Sequence, residues 1–185
     1  MEPILLDIPM PIVTERLVIR EPRVGEGAVV NAAVVETFAA LHQWMPWAKE
    51  LPTVEDTEKF TRESVAKFTL RQDFTLRLWD RAKARFIGCI GLHPQGWAPR
   101  VFEIGYWIRT SEAGKGLMSE AAIALADYAF NTFKADRVFI RCDERNVASA
   151  RVAEKAGFQL EGILRNDSLD TAGGLRSTRL YARIK

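Results

Sequence analysis

The sequence predicts an α+β fold, a strongly twisted, mixed but mostly antiparallel sheet of about seven strands flanked by about four helices. Three observations carry that expectation. Short segments that alternate every second residue recur between segments whose apolar residues fall at helical spacing. From Val101 onward the chain reads as strand, glycine-rich turn, long apolar helix and strand, which is a crossover unit. Pairs of strand-like runs joined by short polar turns stand on either side of it.

Residues 1–13, punctuated by Pro3, Pro9 and Pro11, read as an extended N-terminal arm. Thr14 to Arg20 follows as a first strand, with Leu17 and Ile19 on one face. Gly25 to Trp44 is rich in Ala, Val, Phe and Leu and reads as a helix that Pro46 must end or bend. Thr53 and Asp56 fit a capping box opening a second helix to about Arg71. Phe74 to Trp79 and Phe86 to Leu92 form a hairpin around Asp80 and Arg81, and Val101 to Ile108 is the next strand. Leu117 to Phe133 carries Leu117, Ala121, Ala124, Leu125 and Tyr128 at helical spacing and leads to a strand from Arg137 to Cys142. Asn146 to Ala156 is a short helix stopped by Gly157, and Phe158 to Leu164 and Leu175 to Ile184 are the last two strands.

The 185 residues suit one domain, 1–185, with 48% apolar and 27% charged residues and ten Phe and five Trp to fill a core. Lys and Arg total 26 against 24 Asp and Glu, a balance that argues against direct nucleic-acid binding through many phosphate contacts. Cys89 and Cys142 stand alone, without metal-ligand or CxxC spacing, so the sequence predicts no metal site and two buried thiols in a reducing compartment. No apolar run approaches the roughly 20 residues of a membrane span, and the N-terminal residues lack signal-peptide character; a cytoplasmic location without membrane contact is expected.

The chemistry concentrates in Gly114-Lys115-Gly116-Leu117-Met118-Ser119, between the strand ending at Ile108 and the helix opening at Leu117. Backbone amides at such a helix start, together with the helix dipole, make a pyrophosphate cradle, and Lys115 adds a positive charge. No Gly-x-x-x-x-Gly-Lys-Ser/Thr loop occurs, and Ser119 occupies the place of the third glycine of a dinucleotide fingerprint. Glu103 lies in an otherwise apolar strand, on one face with Gly105 and Trp107, where burial would suit it to act as a base. It reads alternatively as a salt-bridged structural carboxylate. Asn146 fits a helix N-cap. His42 and His93 read as ordinary polar residues before they read as bases, and Cys142 has no activating partner nearby in sequence.

Taken together, Thr14-Glu15-Arg16-Leu17, Trp44-Met45-Pro46-Trp47, Glu103-Ile104-Gly105-Tyr106-Trp107, the Gly114 to Glu120 loop, Asn146 with Ser149, and Glu154-Lys155-Ala156-Gly157-Phe158 resemble the GCN5-related N-acetyltransferase (GNAT) superfamily. The likeness covers nearly the whole chain and points to the branch of RimJ- and RimL-type ribosomal-protein N-terminal acetyltransferases. It implies acetyl-CoA as cosubstrate, with the amides of Gly114, Lys115, Gly116, Leu117, Met118 and Ser119 on the pyrophosphate and the backbone of Ile108 and Arg109, with Asn146, on the pantetheine arm. It further implies direct transfer to an amine, for which the residues themselves offer Glu103 as base and Ser149 as the candidate proton donor. Trp44, Trp47 and Trp107 would line the acceptor site, opposite a wall from Glu161, Arg165 and the 167–174 loop. Two positions depart from the family pattern. Ser111 replaces the Gln or Arg that opens the loop motif, and Ala153 stands where many relatives carry an acidic Tyr. The acceptor implied is a protein N-terminus, with a small amine (aminoglycoside, polyamine or amino acid derivative) or a non-catalytic acyl-CoA sensor as alternatives. A homodimer is the generic expectation for a soluble oligomer.

Overall fold

The computed structural model describes residues 2–185. Its strands are β1 (Ile12–Val13), β2 (Leu17–Arg20), β3 (Phe74–Asp80), β4 (Arg85–Trp97), β5 (Arg100–Ile108), β6 (Arg137–Asp143), β7 (Gln159–Leu169) and β8 (Leu175–Ile184). Its α-helices are α1 (Gly27–Trp44), α2 (Val54–Thr69), α3 (Leu117–Asn131) and α4 (Val147–Lys155). One sheet contains every strand, in the order β1-β2-β3-β4-β5-β6-β8-β7. All neighbours are antiparallel except β5 and β6, which the α3 crossover makes parallel.

The eighth strand is β1, inside the segment expected to be an arm; it pairs Ile12 with Ile19. β2 starts later than predicted, because Thr14 donates its N–H to Leu17 O and closes a turn. β4 runs on to Trp97 and β7 to Leu169, each sustained by a partner strand that continues beside it. Local chemistry sets the helix starts. Thr53 and Asp56 form the predicted capping box, with Asp56 N–H on Thr53 Oγ1 at 3.1 Å and Thr53 N–H on Asp56 Oδ2 at 3.0 Å. Asn146 caps α4 by accepting from Ser149 N–H at 3.0 Å.

Period-two alternation sends Leu76, Leu78, Ile90, Leu92, Phe102 and Ile104 to one face of the sheet, where Ala121, Ala122, Leu125 and Ala129 of α3 pack onto them. Phe133 closes this core by stacking on Phe74 and Phe102, at 5.0 and 5.4 Å between ring centroids. The opposite face lies under α1 and is smaller: Val30, Ala33, Val34 and Leu41 meet Phe86 and Cys89. Polar contacts fill the α2 side of it, where Asn31 Nδ2 donates to Pro52 O at 2.8 Å and the fully buried Arg77 reaches Thr61 Oγ1 at 3.3 Å. A sheet covered by apolar helices on one side and a partly polar layer on the other has a natural cleft on the second side.

Candidate active site

β5 and β6 pair only from Val101 to Glu103 against Arg137 to Phe139, although β5 continues to Ile108 and β6 to Asp143. Beyond Glu103 the two strands part. On the other side of β5, Arg109 N–H donates to Ile87 O at 2.8 Å, which fixes the phase of the β4–β5 ladder. By alternation, the carbonyl of Ile104 and the amides and carbonyls of Tyr106 and Ile108 then face the gap with no strand to meet them. An extended ligand arm can add itself there as a strand. The Ile108 amide therefore faces the gap, whereas the Arg109 amide, expected on the pantetheine arm, is already committed to β4.

The loop after β5 ends at the helix start. Gly114 and Gly116 have φ of +77° and +76°, and Gly116 is the α3 N-cap, with no side chain to cap the helix. The first intrahelical bond is Glu120 N–H to Gly116 O at 3.1 Å, so the amides of Leu117, Met118 and Ser119 have no partner within the helix. This cradle fits a pyrophosphate. Lys115 departs from its expected role, because its ammonium pairs with Glu112 at 2.8 Å. The cation against the loop is Arg16, which donates Nη1 to Lys115 O at 3.0 Å and Nε to Glu120 Oε2 at 2.6 Å. Thr14 Oγ1 also donates to Glu120, at 2.6 Å, so the Thr-Glu-Arg-Leu segment is a clamp on the first turn of α3.

Glu36 of α1 holds the preceding turn. Its carboxylate accepts from Ser111 Oγ at 2.6 Å and pairs with Arg109, and the Ser111 hydrogen bond foremost, then Arg109, lowers its pKa to about 2 against the opposing effect of burial. Ser111, at the position where the family pattern has Gln or Arg, is turned to Glu36 of α1. A lowered carboxyl pKa stabilises the fold above the ordinary value of 4.5, and that contribution is lost as pH falls towards about 2. Glu36→Gln is accordingly expected to be less stable than the parent at neutral pH in urea unfolding, with the difference narrowing between those two values.

A cleft of about 860 Å³ lies on the α1–α2 side and reaches through the β5–β6 gap. Trp44, Trp47 and Trp107 line it, as do Glu103, Asn146 and Ser149. Asp167 lines the far side, whereas Glu161 and Arg165 do not line it and Glu161 pairs instead with Arg137. Glu103 is not the isolated carboxylate of an apolar strand. Arg141 donates Nε and Nη2 to its two oxygens at 3.0 and 2.8 Å, the salt-bridged alternative named from sequence. Ser149 Oγ lies 2.9 Å from the Tyr106 hydroxyl, which also donates to Ser149 O at 3.1 Å. Burial pushes the Tyr106 phenol well up, so it keeps its proton. Ala153, one turn along α4 from Ser149, is fully buried, and Tyr106 brings a hydroxyl from β5 to this end of the helix. Cys142 also lines the cleft, but burial pushes its thiol up, which opposes a nucleophilic role.

The sequence-family match decides the identity: residues 16–159 fit the acetyltransferase (GNAT) domain. The chain belongs to the GNAT acetyltransferase family. It is an acetyl-CoA-dependent N-acetyltransferase. This acetyltransferase is 32% identical over 181 residues to YdaF of Bacillus subtilis (strain 168), covering 94% of this chain and 93% of that one. It is 31% identical over 150 residues to the ribosomal-protein-serine acetyltransferase of Escherichia coli (strain K12), covering 78% and 79%. The fold matches that of RimL, a ribosomal L7/L12 alpha-N-protein acetyltransferase solved with coenzyme A, with a TM-score of 0.87, 23% identity and coverage of 95% and 98%. Among the described residues, no helix of the acetyltransferase is long and apolar enough to cross a membrane, and no group of three His, Cys, Asp or Glu side chains could hold a metal.

Proposed function

We propose that this acetyltransferase modifies the α-amine of a protein N-terminus. The observation that supports the reading is the shape of the cleft. It extends from the Trp44–Trp47 segment with Phe60 to the β7–β8 side at Asp167 and Arg176, and the half-exposed Trp47 and Phe60 line it. An extended peptide end can lie along such a trough, with apolar rings for the residues behind the amine. The ribosomal-protein acetyltransferase named among the relatives supports the same acceptor class.

Within the site, the Glu103–Arg141 pair stands at the end of the β5–β6 gap and marks where the acceptor amine meets the thioester. The amide of Ile108 or Tyr106 faces the developing negative charge on the thioester oxygen. Ser149 Oγ returns a proton to the departing sulfur, backed by the Tyr106 hydroxyl. The test is CoA-thiol release with a panel of N-terminal peptides and small amines. Peptides are expected to turn over with kcat/KM at least about 100-fold above any small amine, a gap of about 2.7 kcal/mol drawn from contacts beyond the amine. Equal or better turnover of a polyamine, aminoglycoside or amino acid derivative would replace the reading with a small-amine acceptor.

A further inference from the structure

An acceptor amine reaches the enzyme as an ammonium and must lose a proton before its lone pair can attack. Glu103, the carboxylate that the sequence nominates for this step, has both oxygens on Arg141. Directly across the β4–β5 ladder from Glu103 stands His93. Its imidazole is held in a made place. Nδ1 lies 2.5 Å from Asp73 Oδ1, and Asp73 is fixed in turn by Thr75 Oγ1 at 2.6 Å. The ring lies back over the paired glycines of the two strands, so that a Cβ at Gly91 would fall 2.3 Å from Nε2 and one at Gly105 would fall 3.2 Å from it. At Gly91 only a residue without a side chain allows the imidazole to lie there, and a Cβ at Gly105 would crowd it.

With Nδ1–H donating to Asp73, the lone pair is on Nε2, and no protein group among the described residues hydrogen-bonds to that nitrogen. His93, Asp73, Gly91, Gly105 and Glu103 all line the acceptor cleft. Gly105 is two residues past the last β5–β6 pair, so Nε2 hangs at the mouth of the gap through which the thioester must be presented.

We infer that His93, held by Asp73 in the slot above Gly91 and Gly105, is the group that takes the proton from the acceptor ammonium. Nε2 accepts that proton, the freed nitrogen pair forms the N–C bond to the acetyl carbonyl, and the C–S bond breaks with its pair leaving on the CoA sulfur. As the neutral amide forms, the second amine proton passes by way of Ser149 Oγ to the departing sulfur, giving CoA thiol, and the proton held on Nε2 is then released to solvent. Asp73 is a positioning residue. The charged groups around the imidazole are Asp73 of the β3 approach, Glu103 of β5, Lys67 of α2 beyond Asp73, and Arg141 of β6 beyond Glu103. Burial lowers the imidazole pKa, but the hydrogen bond and charge of Asp73, with Glu103, outweigh it and leave the pKa above 6.5. That suits a base working near neutral pH.

The inference rests on amine acetylation and not on which amine is accepted, so it is tested with whichever acceptor of the panel turns over fastest. The wild-type rate is expected to rise with pH along a limb set by His93. His93→Gln should lower kcat about 100-fold and remove the limb, with the KM for acetyl-CoA unchanged as the sign of an intact fold. Asp73→Asn should move the limb to lower pH, because the carboxylate that raises the imidazole pKa is gone, with roughly a tenfold loss of kcat. Gly91→Ala should reproduce the His93→Gln loss with the imidazole still present. Independently of activity, NMR titration of the wild-type imidazoles, of which the chain has only two, should show one titrating above 6.5 and shifting when acceptor is added. A His93→Gln enzyme that keeps kcat within about twofold and keeps the limb would overturn the inference. Loss of the limb in Glu103→Gln alone would return the role to the carboxylate.

Discussion

Replacing both Gly114 and Gly116 with alanine is expected to raise the KM for acetyl-CoA about 100-fold, while kcat at saturating acetyl-CoA changes less than about threefold. The effect is conformational, not steric. A Cβ at Gly114 would meet nothing within 4 Å, and one at Gly116 would come no closer than 3.7 Å, to the guanidinium of Arg16. Both residues have a left-handed backbone, however, which costs an L-residue about 1–2 kcal/mol each. A loop that relaxes to escape about 3 kcal/mol of strain turns the amides of Leu117, Met118 and Ser119 away from the phosphates, and about 2.7 kcal/mol corresponds to 100-fold in affinity. The phosphate-facing amides act before and during transfer alike, so the loss falls on binding. Calorimetric titration with acetyl-CoA checks it, and an affinity within about threefold of the parent would remove the loop from the cosubstrate site.

Gly88→Ala is expected to lower stability by about 3 kcal/mol, which is about 6–12 °C in Tm for a chain of this size, and to inactivate what remains folded. Gly88 faces Ile108 across the β4–β5 ladder, and a Cβ there would lie 2.3 Å from Trp107 O and 2.9 Å from Ile108 Cα. Both are backbone atoms in a sheet and cannot swing aside, so the ladder itself must open. It would open at the rung that aims Ile108 at the gap and leads into the loop at Arg109. Gly162→Ala is the control, since a Cβ there meets nothing within 4 Å in strand β7; its Tm should change little. Equal behaviour of the two variants in thermal unfolding would show that the close approach at Gly88 has no energetic weight.

His93, one of the two histidines that the sequence offers only as alternative bases, shows why the group we infer as the base ranks below Glu103 when the chain is read alone. A single histidine near a strand end carries no local signal of catalysis, and its partner Asp73 is 20 residues earlier. Two glycines beneath it read in sequence as interruptions of apolar strands, and only the pairing of Gly91 with Gly105 shows that they make one slot. Tyr106 was passed over as part of an apolar strand for the same reason, its hydroxyl meeting Ser149 across a separation of 43 residues.

The chain by itself determined the kinds of elements and the chemistry that depends on consecutive residues. The capping box at Thr53, the Asn146 cap, the glycine loop opening α3 and the alternation that buries Leu76, Leu78 and Ile90 all follow from the 3.6- and two-residue periods and from backbone preferences, which act over a few residues. The tertiary structure alone decided which groups meet: Arg141 on Glu103, Arg16 on Glu120 across 104 residues, Lys115 turned to Glu112, and the parting of β5 from β6. Those meetings depend on strand order and register, which are set by packing the whole sheet between its two helical layers. No short stretch of sequence contains that information.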